Sequence, residues 1–90
     1  MLKEKKDFSP NPLDIENQGN ELILFNDDIN TFDYVIESLM EVCSHSAEQA
    51  EQCAIIAHTN GKCAVKKGEM SELQAFHDEM KRRGLITQIS

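Results

Sequence analysis

Leu22-Ile23-Leu24-Phe25-Asn26-Asp27-Asp28 decides how the rest of this chain is read. Four consecutive apolar residues stop abruptly at an amide and two carboxylates. A short apolar run closed by turn-forming residues reads as a buried strand that ends in a turn. The next apolar positions are Phe32, Val35, Ile36, Leu39, Met40 and Cys43, separated by alternating steps of three and one. That spacing gives a helix one continuous apolar face. Asn30 or Thr31 supplies a cap for its first turn, and Asp33 sits favourably near the positive helix end.

Further along, Ser44-His45-Ser46 interrupts the helical pattern, and Ser46 with Gln49 forms a capping-box pair that opens a second helix. Ala47, Ala50, Cys53, Ala54 and Ala57 mark its apolar face, which Ile55 and Ile56 widen. Gly61 stands where a left-handed residue ends such a helix. Lys62–Lys67 reads as a second strand, and Gly68 turns the chain. A third helix over Glu69–Arg83 has Met70, Leu73, Phe76 and Met80 on one face and is stopped by Gly84. Lys81, Arg82 and Arg83 complement its negative end. Leu85–Ile89 reads as the last strand. The order strand-helix-helix-strand-helix-strand implies an α+β fold, a three-stranded antiparallel sheet with three helices packed on one face.

Before this domain, residues 1–20 contain both prolines, a Lys/Glu cluster and the polar stretch Asn17-Gln18-Gly19-Asn20. They read as a flexible N-terminal arm, leaving residues 21–90 as the folded unit. A total of 90 residues excludes barrel enzymes and doubly wound dinucleotide folds. Nine basic residues face sixteen acidic ones, for a net charge of −7. A nucleic-acid partner is not expected, because phosphate contacts need an excess of Lys and Arg. Three basic and twelve acidic residues fall in 1–61, against six and four in 62–90. The acidic half suits a positively charged ligand or partner, or simply a solvated face. Apolar runs of four residues do not span a membrane. Three cysteines without an apolar leader point to a reducing compartment, the cytoplasm. A monomer is the expected state.

Three kinds of chemistry are open to these residues. Asp27, Asp28 and His58 could hold a metal or activate a water, which defines a small metal-dependent hydrolase. Cys43, His45, Cys53, His58, Cys63 and His77 are candidate ligands, but cysteines ten residues apart lack the close pairing of zinc sites. Cys43 and Cys53 fall on apolar helix stripes, where a thiol serves as a small core residue. The third possibility is recognition. Asn26, Asp27, Asp28 and Asn30 follow a buried strand, and His58 stands near the end of the second helix. If strand end and helix end meet, acceptors converge beside an apolar surface, a suitable seat for an ammonium next to a hydrophobic side chain. The same residues also suit plain turn chemistry and a surface histidine.

Taken together, Leu22–Asp28, Asp33-Tyr34-Val35-Ile36, Glu48, Ala50 and His58-x-x-Gly61-Lys62 resemble the ClpS family, adaptors of the bacterial ATP-dependent Clp proteases. The resemblance runs over residues 21–90. It implies a non-enzymatic adaptor, without cofactor or metal, that binds N-degron substrates. It would deliver them to the N-terminal domain of a ClpA- or ClpC-type AAA+ unfoldase. By the same resemblance, Asn26 and His58 fall on positions that hydrogen-bond the substrate's α-amino group. Asp27 and Asp28 lie beside it, and Asn30 near the first peptide unit. Phe32, Ala54, Ala57 and Leu85 would line the apolar pocket, Glu69 would face the unfoldase, and residues 1–20 would be engaged during delivery. This chain departs from the family pattern at Phe32 (commonly Met), Ala54 (often larger), Thr31 (usually Pro) and Gln74 (a basic position). Phe, Tyr, Leu and Trp are the expected first residues of its substrates.

Overall fold

A computed structural model describes residues 19–90. Its elements are β1 (Asn20–Phe25), α1 (Phe32–Cys43), α2 (Ala47–Asn60), β2 (Lys62–Gly68), α3 (Met70–Arg82) and β3 (Thr87–Ile89). The three strands form one antiparallel sheet in the order β2-β1-β3, so the first strand lies in the middle. The α+β class, the element order and the antiparallel sheet are those read from the sequence. Of the expected arm, residues 1–18 lie outside the described residues, and Asn20 already begins β1.

Alternation along β1 sets the layers. Leu22 and Leu24 are fully buried, while Ile23 and Phe25, on the other face, are half-buried. The buried face meets Leu39 and Cys43 of α1, Ala50, Cys53 and Ala57 of α2, and Leu73 and Met80 of α3 in one core. Each fully buried leucine contributes about 1.5–3 kcal/mol of transfer free energy. In β2 the register shifts, with Leu22 opposite Lys66 and Ile23 opposite Ala64. The extra residue, Val65, is a bulge that breaks the simple alternation. It lets Val65 enter the core while the Lys66 ammonium sits 5.3 Å from the centre of the Phe76 ring.

Caps fix the helix ends. The Thr31 hydroxyl accepts the Tyr34 N–H at 3.1 Å, so Thr31 rather than Asn30 caps α1. The Ser46 hydroxyl accepts the Gln49 N–H at 3.1 Å and opens α2. Gly61 ends α2 at φ 94°, its N–H bonded to the Ala57 carbonyl.

The end of α3 corrects two expectations. The Gly84 N–H bonds the Lys81 carbonyl and the Leu85 N–H bonds the Met80 carbonyl, each at 2.9 Å. This is a Schellman closure, in which the residue after the glycine packs back on the last helical turn. Leu85 therefore sits in the core with Met80, and the last strand begins at Thr87 rather than at Leu85. In α1 the apolar face is narrower than its spacing suggested. Phe32 and Met40 are 42% and 39% exposed, while Ser38 is fully buried. Ile55 and Ile56 likewise remain exposed on α2.

Candidate functional site

The turn after β1 meets the end of α2 directly, because the Asn26 N–H bonds the Gly61 carbonyl at 2.9 Å. Between them opens a cavity of about 360 Å³. Its polar lining is Asn26, Asp27, Asp28, Asn30 and His58; its apolar lining is Leu24, Phe25, Phe32, Val35, Ala54 and Ala57. Among the described residues, no lysine or arginine lines it.

Asp27 builds the turn. One carboxylate oxygen accepts the Ile29 N–H at 2.8 Å and the Asn30 N–H at 2.7 Å; the other accepts the Asn30 side-chain amide at 3.1 Å. Burial pushes the Asp27 carboxyl up, but the bonds from Asn30 and Ile29 outweigh it and hold the group below the ordinary aspartate value. Both oxygens are thus engaged within the turn. Asp28, next to it, is exposed and lines the cavity.

Asn30 joins the two loops that flank the turn. Its Nδ2 donates to Asp27 and, at 2.9 Å, to the Gly84 carbonyl beyond α3. Both partners only accept, so the amide orientation is fixed by chemistry and Oδ1 is left as an acceptor. One helical turn further on, the Tyr34 hydroxyl donates to the Arg83 carbonyl at 2.8 Å. The α3–β3 connection is therefore pinned twice to the cavity side of the molecule.

Of the residues singled out from sequence, Asn26, Asp27, Asp28, Asn30, His58, Phe32, Ala54 and Ala57 all line this one cavity. Leu85 does not; it is 4% exposed in the core, held there by the closure of α3. Glu69 stands apart, exposed at the N-cap of α3. Leu24, Phe25 and Val35 were not singled out. Val35 was legible, lying three residues after Phe32 on the same helix face. Among the described residues, no group of three or more His, Cys, Asp or Glu is arranged to hold a metal ion. No helix among them is long and apolar enough to cross a membrane.

Chemically, the mouth offers amide, imidazole and carboxylate acceptors, and the wall offers apolar surface. A group with several N–H donors, positively charged and attached to a hydrophobic body, fits that division.

Comparison with known proteins follows the same line. The model of the ATP-dependent Clp protease adaptor protein ClpS matches residues 16–86. The ATP-dependent Clp protease adapter protein ClpS of Campylobacter jejuni (strain 81-176) is 38% identical over 53 residues, 57% of this chain and 55% of the relative. The protein of the same name from Nitratidesulfovibrio vulgaris (strain DP4) is 34% identical over 67 residues, 70% of this chain and 64% of the relative. The chain thus spans a little over half the length of the Campylobacter relative. A solved structure, Agrobacterium tumefaciens ClpS2 bound to L-phenylalaninamide, has the same fold with a TM-score of 0.67 at 22% identity, covering 79% of this chain and 93% of that one. The span matched by the family model takes in all three helices and every residue that lines the cavity, and the chain belongs to the ClpS family of Clp protease adaptor proteins.

Proposed function

We propose that the cavity holds the free leading end of a polypeptide, its α-amino group at the polar mouth and its bulky apolar first side chain against the wall. The carrying observation is that division of the lining into acceptors on one side and apolar surface on the other, with no lysine or arginine among the described residues that form it. An α-amino group has a reference pKa of about 7.7–8.0 and is mostly charged at neutral pH. Asn26, Asp28 and His58 offer acceptors for its three donors. Such bonds contribute about 1.5–3 kcal/mol each before the costs of ordering. Asn30 Oδ1 is free to accept the N–H of the first peptide bond.

Side-chain selection follows from the wall. Burying a Phe or Leu side chain there contributes about 1.5–3 kcal/mol. A substrate Asp or Glu would bury an unpaired charge beside Asp27 and Asp28. An internal residue presents an amide in place of the ammonium. The ligand named for the Agrobacterium protein, phenylalaninamide, has a free α-amino group beside an aromatic side chain, which supports the reading.

In this reading the chain is a cytoplasmic, monomeric adaptor and not an enzyme. It delivers N-degron substrates to the N-terminal domain of a ClpA- or ClpC-type AAA+ unfoldase, with Glu69 at that interface and residues 1–20 engaged during delivery. The test is fluorescence anisotropy with peptides that begin with Phe, Tyr, Trp or Leu, each with a free and an N-acetylated end. Free ends bind and acetylated ends do not. Equal binding of the two refutes ammonium recognition and leaves an unfoldase-binding domain that does not read N-termini.

A further inference from the structure

The three cysteines are ten residues apart in sequence, yet the fold gathers them. Cys63 of β2 lies opposite Leu24 and packs against the core. Cys53 is 9% exposed on α2, the helix that packs on β2. Cys53 stands near both Cys63 and Cys43: burial raises those two thiols, and Cys53 adds to each. Access differs between them. Cys63 is half-buried and lines a groove of about 560 Å³ that opens to solvent between Ile56 of α2 and the exposed sheet face. Cys53 does not line that groove and is buried. A reachable thiol on a strand, with a second, sheltered thiol on the helix packed over that strand, is the arrangement of an attacking and a resolving cysteine.

We propose that Cys53 and Cys63 form a disulfide when the chain meets a small disulfide oxidant such as glutathione disulfide. The Cys63 thiolate attacks one oxidant sulfur and expels one glutathione thiolate, leaving a mixed disulfide. The Cys53 thiolate then attacks the Cys63 sulfur and expels the second glutathione. Two S–H bonds of the protein are lost and one S–S bond forms. The two protons and two electrons leave with two molecules of reduced glutathione, so no other reactant is needed.

The rate has a built-in brake. Burial, with a smaller contribution from Cys53, pushes the Cys63 thiol up to about 11. Near neutrality little thiolate exists, and the first step accelerates about tenfold per pH unit until that value is approached. The link has a local consequence. It closes a loop that contains His58 and Gly61, and it ties the residue before Ala54 to the residue opposite Leu24. All of Leu24, Ala54 and His58 line the cavity. The disulfide therefore braces the cavity wall against the sheet, independently of what the cavity binds.

The test uses the reduced full chain and glutathione disulfide at about pH 8 and about pH 9, with thiol blocking, intact mass and peptide mapping. The expected product is lighter by two hydrogens, carries a Cys53–Cys63 crosslink, and forms about tenfold faster at the higher pH. The Cys53→Ser variant stops at a glutathione adduct on Cys63, and Cys43→Ser closes normally. In the crosslinked wild type, amide exchange across residues 55–61 slows. A wild-type product that stays a mixed disulfide, a crosslink through Cys43, or closure undiminished in Cys63→Ser overturns the proposal. So does an absence of reaction at the higher pH.

Discussion

Replacing Asp27 tests whether the turn that shapes the cavity is held by one carboxylate. That carboxylate accepts three hydrogen bonds, from Ile29 N–H at 2.8 Å, Asn30 N–H at 2.7 Å and Asn30 Nδ2 at 3.1 Å. Bonds to a charged acceptor contribute about 1.5–3 kcal/mol each, but here water reaches part of the turn and replaces some of the loss. Asp27→Ala therefore destabilises the fold by on the order of 2–4 kcal/mol. Asp27→Asn keeps one oxygen for the two backbone donors but sets an NH2 against the Asn30 NH2, so it falls between wild type and alanine. Charge adds a pH signature. The folded-state value of Asp27 is lowered, so its contribution is complete above the unfolded aspartate value of about 3.9. It is lost as pH falls through the folded value. Urea titrations of wild type and Asp27→Asn at a series of pH values measure both effects. The gap between the two proteins is constant from neutral pH down to about pH 5 and closes below about pH 4. An alanine variant within about 0.5 kcal/mol of wild type, or a gap that does not close in acid, refutes this account of the turn.

His58→Ala weakens the binding of a free-ended Phe or Leu peptide by more than about tenfold, read by anisotropy, while thermal unfolding stays near wild type because the side chain is exposed. Leu39→Ala, which empties a fully buried position in the core, costs about 2–5 kcal/mol in chemical denaturation. At Gly61, φ is 94° and an added Cβ meets nothing within 4 Å, so Gly61→Ala costs about 1–2 kcal/mol from backbone conformation alone. That loss is measured by the same denaturation.

Local signals carried the elements, and long-range packing decided what the sequence left open. Ser46 and Gly61 act over three or four residues, and their roles as caps could be read directly, whereas the choice of Thr31 over Asn30 came only from the bond to Tyr34 N–H. The width of the covered stripe on α1 could not, because it depends on how much of the helix α2, α3 and the sheet overlay. This is why Phe32 and Met40 stay exposed while Ser38 is buried. Leu85 looked like strand because Leu85-Ile86-Thr87-Gln88-Ile89 is apolar and β-branched. Its N–H is instead spent on Met80, a competition that no periodicity reveals. The polar mouth of the cavity was legible because Asn26, Asp27, Asp28 and Asn30 sit in one turn. The engagement of both Asp27 oxygens within that turn was not legible, nor was the reach of Asn30 to Gly84. The meeting of Cys53 with Cys63 follows only from the packing of α2 on β2.

The place of β1 has a consequence for how the protein is made. This strand leaves the ribosome before both of its neighbours, which are supplied by residues 62–68 and 87–89. At about 5–20 residues per second, its second edge stays bare for roughly 3–13 s of synthesis. Leu22, Ile23, Leu24 and Phe25 form an apolar stretch free to pair with the wrong chain during that interval. The two aspartates that follow Asn26 place negative charge beside the sticky segment, a guard that operates on the nascent polypeptide before any ligand is met.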